Sequence, residues 1–296
     1  MIFELLLIFL PLILLIVGGY VCSTLFAISE ETLVRCVTDF FMPLLVFYSL
    51  YASDINLTQT LKLGGAVTFV VLVLLCMAFV YCRQFKIDFK AFAPPIVFMN
   101  SGFLGIPLMQ LWQGSEAMNI IVIYDQVQTF YIFTIGIVIV SGGFTFKGLA
   151  EMAKSPLLWS IILGFIFKYA SIDLPAPLLK AIHYCGAGAP ALAIFALGCS
   201  LSQRKFKADI HLTAGIILRA GCGFMAGLAA VHIFGISGVT GTVVIVASSL
   251  PSAVFSVMLP LRYGVNAQFA GGMVLASTVL SIITIPLVFY LCELLK

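Results

Sequence analysis

Pro94-Pro95-Ile96-Val97-Phe98-Met99-Asn100-Ser101-Gly102-Phe103-Leu104-Gly105-Ile106-Pro107-Leu108 is too interrupted to be a plain membrane helix. Two prolines remove backbone donors, Asn100-Ser101-Gly102 breaks the apolar run, and Gly105 and Pro107 loosen the next turn. In hydrocarbon a freed backbone group costs several kcal/mol, so such a break persists only where protein or a water-filled cavity satisfies it. A broken segment at membrane depth therefore predicts a site.

A second interruption lies in Gly241 to Leu259, where a short apolar run meets Ala247-Ser248-Ser249 and then Pro251. An ungapped offset of 147, about half of the 296 residues, lays Ile96 to Ser101 over Val243 to Ser248. The same offset lays Thr38 to Ser53 over Cys185 to Ser200 with four identities in sixteen, among them Pro43 on Pro190 and Ser53 on Ser200. Interrupted hydrophobic segments at corresponding places in two halves point to the substrate site of a secondary transporter.

Composition sets the solvent. Hydrophobic residues make up 62% and charged ones 9%, with a mean hydropathy of +1.18, whereas a soluble domain carries roughly 25% charged residues. The chain reads as an all-α polytopic membrane protein. At roughly 20 residues per span, the chain divides into ten segments, near 3–27, 36–53, 62–81, 92–112, 119–143, 156–171, 179–201, 211–234, 238–260 and 267–292. The first segment has no Lys or Arg ahead of its apolar run, so it is kept as a span and not a cleaved signal.

Connections after odd-numbered segments carry Arg35, then Arg83, Lys86 and Lys90, then Lys147 and Lys154, then Arg204, Lys205 and Lys207, then Arg262: ten basic residues. The other side carries Lys62, Lys168, Lys180 and Lys296, four in all. Ten against four places the basic loops in the cytoplasm and both termini outside. Five spans per half is an odd number, so residues 1–148 and 149–296 form two inverted five-helix repeats, with broken helices four and nine crossing.

The candidate chemistry concentrates at the breaks. Asn100, Ser101 and Gly102 offer an amide, a hydroxyl and exposed backbone N–H groups that suit a carboxylate, although an Asn there could also simply glue helices. Ser248, Ser249 and Ser252 around Pro251 are expected to form the opposing wall. Asp125, in Tyr124-Asp125-Gln126-Val127-Gln128, is an intramembrane carboxylate and a candidate for coupling to protons or sodium, unless it sits at the outer interface. Arg219 lies about 12 Å into the eighth segment, where it either snorkels to the interface or points inward to hold the anion or a carboxylate.

Other features carry less. The eight cysteines lie in apolar segments without a CxxC, and His183, His211 and His232 fall near span ends without a metal-ligand spacing, so neither a metal site nor an enzyme is expected. Gly186 to Gly188 and Gly221 to Gly227 suit close helix packing better than phosphate binding.

Asn100-Ser-Gly-Phe-Leu-Gly-Ile-Pro-Leu108 resembles the Asn-x-Gly-x-x-Gly-x-Pro-Leu signature of the auxin efflux carrier family. Leu250-Pro251-Ser252-Ala253-Val254 and the trailing Arg262-Tyr263-Gly264 are similar to that family's second crossover, and Pro156, Gly164 and Pro190 to Gly198 also fit. The resemblance implies a ten-helix carrier of organic anions such as auxin, malate or malonate, with a scaffold and a moving part. It also implies that Asn100, with Gly105 and Pro107 in the same motif, belongs to the substrate site. Plant members often carry an Asn in the second crossover, where Ala247 and Ser248 align here, and a long loop that this chain lacks. Both departures favour a compact, bacterial-type carrier of the inner membrane over one for auxin itself.

The expected function is secondary transport of a small organic anion by an elevator-type movement. The expected partners are that anion and the lipid bilayer, with no nucleic acid and with a homodimer left open. A membrane receptor that binds the same ligand without moving it is the rival reading. A sodium-coupled carrier of the bile-acid type is a third, weakened by the lack of an acidic pair in the crossover region.

Overall fold

Regular structure among the described residues is helical. The structure, a computed structural model, describes residues 2–26, 28–52, 57–142, 153–154, 156–203 and 209–295. The first half runs through α1 (Ile2–Phe26), α2 (Glu30–Cys36), α3 (Met42–Tyr51), α4 (Leu57–Phe85), α5 (Phe89–Val97), α6 (Ile106–Tyr131) and α7 (Ile137–Ser141). The second contains α8 (Pro156–Tyr169), α9 (Ala176–Ala187), α10 (Ala189–Ser202), α11 (Ile210–Ile217), α12 (Gly223–Ile233), α13 (Gly238–Ser249), α14 (Phe255–Arg262) and α15 (Gln268–Leu294). Four single π-helical turns join neighbours in this series, at Val37–Phe41, Ser101–Gly105, Ile132–Gly136 and Leu218–Cys222. Such turns gather at functional sites because they offset a side chain from the helical register.

Six described stretches are long and apolar enough to cross a membrane: Glu31–Tyr51, Thr58–Phe85, Ser101–Ser141, Ala176–Ser202, Ile210–Ile233 and Gln268–Leu294. Leu10–Phe26, Leu158–Tyr169 and Gly238–Ser249 are apolar but shorter. Leu14, Phe79, Ile166, Ile217, Met225 and Ile283 project outward and exposed, which suits lipid and would be an aggregation surface in water.

Local chemistry moves several expected boundaries. The second segment starts at Glu30 and not near 36, because Ser29 caps it by accepting from the Thr32 N–H and Arg35 pairs with Glu31 at 2.9 Å. The connection expected between 112 and 119 shrinks to a kink at Gln113 and Gly114, where Gly114 takes a φ of 61° that favours glycine. The seventh segment divides at Gly188 into α9 and α10. Ser53, Lys147, Arg204, Lys205, Lys207, Lys296 and the 148/149 boundary lie outside the described residues.

The helices pack in two groups. α1 lies along α10, while α3 packs on α8 and α9 and α2 touches α10. The other group holds α4, α5, α6, α12, α13 and α15, with α11 and α14 against α15 and α7 against α5. Its centre is dry: Val67, Val70, Val71 and Leu74 of α4, with Ile96 and Val243, are fully buried. The groups meet where α10 touches the Ser101–Gly105 turn and where α1 and α3 touch α6.

The α1–α10 contact depends on two glycines. A Cβ on Gly198 would overlap the Ile16 carbonyl oxygen, and one on Gly19 would overlap that of Phe195. In lipid, helices hold together through such backbone approach and interhelical hydrogen bonds, here Cys199 Sγ to the Gly19 oxygen at 3.2 Å and the Ser202 hydroxyl to Ser23 Oγ at 3.0 Å. Gly198→Ala is expected to cost about 1–3 kcal/mol by overpacking, read as a lower melting temperature in detergent. Gly18→Ala, with open space beside it, should leave the melt unchanged.

Candidate functional site

Both interrupted segments stop being helical at the same place in space. α5 ends at Val97, Phe98 is extended (φ −101°, ψ 120°) and the chain re-enters helical geometry at the Ser101–Gly105 turn. α13 ends at Ser249, Leu250 is extended (φ −59°, ψ 154°) and α14 starts at Phe255. The extended residues pair antiparallel, Met99 opposite Ser252, with the Asn100 N–H donating to the Pro251 oxygen at 2.8 Å and the Ala253 N–H to the Phe98 oxygen at 2.9 Å.

This pairing satisfies backbone groups that the breaks would otherwise leave orphaned in an apolar interior. Side chains close the remaining gaps. The Ser252 and Ser256 hydroxyls donate to the Pro95 and Pro94 oxygens at 2.6 and 3.1 Å, and the Ser252 N–H donates to Ser277 Oγ at 3.1 Å. Gln128 clamps Met99 from both sides, its Oε1 accepting from the Met99 N–H at 3.3 Å and its Nε2 donating to the Met99 oxygen at 2.6 Å. The Tyr124 hydroxyl bridges Ser248 Oγ at 3.1 Å and Met99 Sδ at 3.0 Å.

The two cross-hydrogen bonds exchange when Met99 is matched to Ser252, an offset of 252 − 99 = 153. Within this pairing the place that answers to Asn100 is Ala253, whereas the ungapped offset of 147 lays Asn100 on Ala247. Ala247 still sits within α13.

Arg219, on the Leu218–Cys222 turn, is fully buried and does not snorkel. Its Nη1 donates to the Ile96 and Val97 oxygens at 2.7 and 3.3 Å, and its Nη2 donates to the Ser248 oxygen. Those carbonyls are the C-terminal ends of α5 and α13. Each helix end carries roughly half a negative elementary charge, so one guanidinium balances the pair. Its terminal nitrogens thus reach backbone oxygens and no carboxylate, while its Nε has no partner among the described residues.

A small cleft lies beside the crossing. Asn100, Gly102, Asp125, Gln128 and Thr129 form its polar side, Ala253 to Phe255 its far wall, and Thr38 and Met42 its cover from the other helix group. Asp125 is buried; its Oδ1 accepts from the Ser101 hydroxyl at 2.7 Å and its Oδ2 from Gln126 Nε2 at 3.3 Å. A Cβ on Gly102 would sit 3.1 Å from Asp125 Oδ1, so glycine there keeps the carboxylate accessible. The amide nitrogen of Asn100 has no partner, although the residue is only 2% exposed.

The structure thus brings Asn100, Ser101, Gly102 and Asp125 together. Ser248 and Ser249 lie outside the cleft, their hydroxyls returned to the Val244 and Ile245 oxygens. Pro251 and Ser252 belong to the pairing, Gly105 packs against Leu250 and Ile121, and Pro107 is buried in the first turn of α6. Thr38, Gln128 and Tyr124 have roles that the sequence pattern does not single out. The Gln126-x-Gln128 pair beside Asp125 is the available signal, since amides inside a membrane span need partners.

Apolar helices that break and pair in the protein interior, next to a cleft shared by two helix groups, are the frame of a membrane transport protein. The family described as Membrane transport protein matches residues 143–289. Across 299 aligned residues the chain is 27% identical to an uncharacterized transporter of Methanothermobacter thermautotrophicus, covering 94% of this chain and 95% of that relative. Across 300 residues it is 26% identical to an uncharacterized transporter of Methanocaldococcus jannaschii, covering 93% and 94%. The chain is a membrane transporter by this likeness, and Asn100 to Leu108, ahead of the matched residues, resembles the signature of the auxin efflux carriers.

Proposed function

We propose that this protein is a secondary carrier of a small organic anion. The observation that carries the reading is the unpartnered amide of Asn100, a buried donor in a cleft between two helix groups. A buried donor without a partner is costly, and a ligand acceptor such as a carboxylate oxygen relieves that cost. Ala253, which answers to Asn100 across the pairing, supplies only a methyl group, so no second amide faces Asn100 from that segment.

In this reading the chain crosses the cytoplasmic membrane ten times with both termini outside. The kink at Gln113–Gly114 divides the Ser101–Ser141 stretch into two crossings, while α5 and α13 each continue past their break as one. The halves form inverted repeats, and the group around α4–α7 and α11–α15 slides as an elevator against the group of α1–α3 and α8–α10. The cleft would open to either side as Thr38 and Met42 stay behind. Asp125 is the group available to couple transport to a proton or a sodium ion.

Purified protein in liposomes, offered acetate, lactate, malonate, malate and indole-3-acetate, is expected to accumulate at least one of them saturably. Binding that raises the melting temperature without any uptake would make the protein a receptor instead.

A further inference from the structure

We infer that the anion enters the cleft with one proton, shared between the substrate carboxylate and Asp125, so that a monocarboxylate and one proton are carried together. This rests on the carrier reading above and adds the stoichiometry of its site.

Charge makes the case first. Asp125 is the one ionisable side chain among the residues lining the cleft, and it has no ion-pair partner among the described residues. Arg219 is committed to three carbonyls behind the crossing. A second carboxylate about 4 Å from the first, at an effective dielectric constant near 20, is repelled by about 4 kcal/mol, roughly a thousandfold in affinity. One proton between the two removes that repulsion and forms a short charge-assisted O–H···O bond.

The hydrogen-bonding pattern agrees. The cleft sets a buried, unpartnered donor, the Asn100 amide nitrogen, near an acceptor, the Asp125 carboxylate. A carboxyl group answers both: its C=O accepts from Asn100 while its O–H donates to Asp125. The neighbours of Asp125 favour a proton over sodium, which needs oxygen lone pairs around it. Ser101 donates its hydroxyl proton and Gln126 its amide N–H to the carboxylate, and Gln128 Nε2 donates to Ser101 Oγ at 3.1 Å. A metal ion would have to displace these donors, and the unpartnered buried oxygen next to them is Gln126 Oε1.

No other titratable group among the described residues lines the cleft. Tyr124 bonds Ser248, Tyr131 bonds Thr68 of α4 at 2.8 Å, and Lys62 of α4 reaches the Gly235 oxygen at 3.5 Å. Asp39, on the Val37–Phe41 turn, is exposed and accepts from the Thr38 hydroxyl at 3.0 Å.

The test is isothermal titration of the full-length protein with indole-3-acetate and with malonate, in two buffers of different ionisation heat, from about pH 6 to about pH 9. The wild type should take up one proton per acid bound, and its apparent affinity should fall toward tenfold per pH unit at the alkaline end. Asp125→Asn should bind with no proton uptake and no such slope. Exchanging potassium for sodium should change neither protein. The proton count of the wild type stands even where the variant fails to fold. Binding without proton uptake across that range, or binding that requires sodium, overturns the inference and leaves the carrier reading intact. Failure of both acids to bind at any pH removes the anion site and this inference with it.

Discussion

Arg219→Met is expected to lower the melting temperature of the detergent-solubilised protein by about 6 °C or more and to abolish transport. The substitution strips charge-assisted hydrogen bonds from the oxygens of Ile96, Val97 and Ser248, all buried where the two broken segments meet. Each lost bond costs about 1–3 kcal/mol. Relief from burying a guanidinium returns part of that, leaving a net loss of about 3 kcal/mol, at roughly 2 °C or more per kcal/mol for a chain of this size. The dipoles of α5 and α13 would also face each other uncompensated. Arg219→Lys should fall between, since one ammonium keeps the charge but lacks the planar fork that reaches both helix ends. A melt equal to the wild type, together with a raised KM for substrate, would return Arg219 to the role of anion ligand.

That role is hidden from the sequence for a physical reason. A lone arginine eight residues into a span is compatible with snorkelling, anion binding or capping, and only its distance to Ile96 and Ser248, far away in the chain, decides among them. Pro94, Pro95 and Pro251 announce the two breaks because a missing donor must be answered somewhere. The sequence does not say where, and the answer comes from Gln128, Ser252 and Ser277 on three different elements. The π-helical turns add one residue to a helical repeat without any composition of their own, so the placement of Thr38 and Arg219 could not be counted from helical periodicity. The paired residues at the crossing lie 153 apart in the chain, six more than the ungapped offset of 147. An ungapped overlay tracks hydrophobic runs, whereas the spatial match tracks the paired Met99 and Ser252.

Asn100→Ala should have the opposite signature to the Arg219 substitution: binding is lost and the fold is kept. The Asn100 backbone keeps its place without the side chain, its N–H held by Pro251 at 2.8 Å and its oxygen accepting from Leu104 and Gly105 at 3.3 and 3.0 Å. The amide nitrogen has no protein partner to lose. Removing an unsatisfied buried donor relieves a desolvation cost, so the melting temperature of the ligand-free protein should stay level or rise. With an anion bound, the same amide completes a hydrogen bond to a charged acceptor worth about 1.5–3 kcal/mol. Its loss predicts an affinity reduced by about tenfold to a hundredfold, with a matching fall in uptake at low substrate. Melts with and without acid separate the two effects, because only the ligand-induced increment should disappear. If the free protein melts lower and the acid still raises its melting temperature by the wild-type amount, Asn100 is structural and the cleft binds its ligand by other groups.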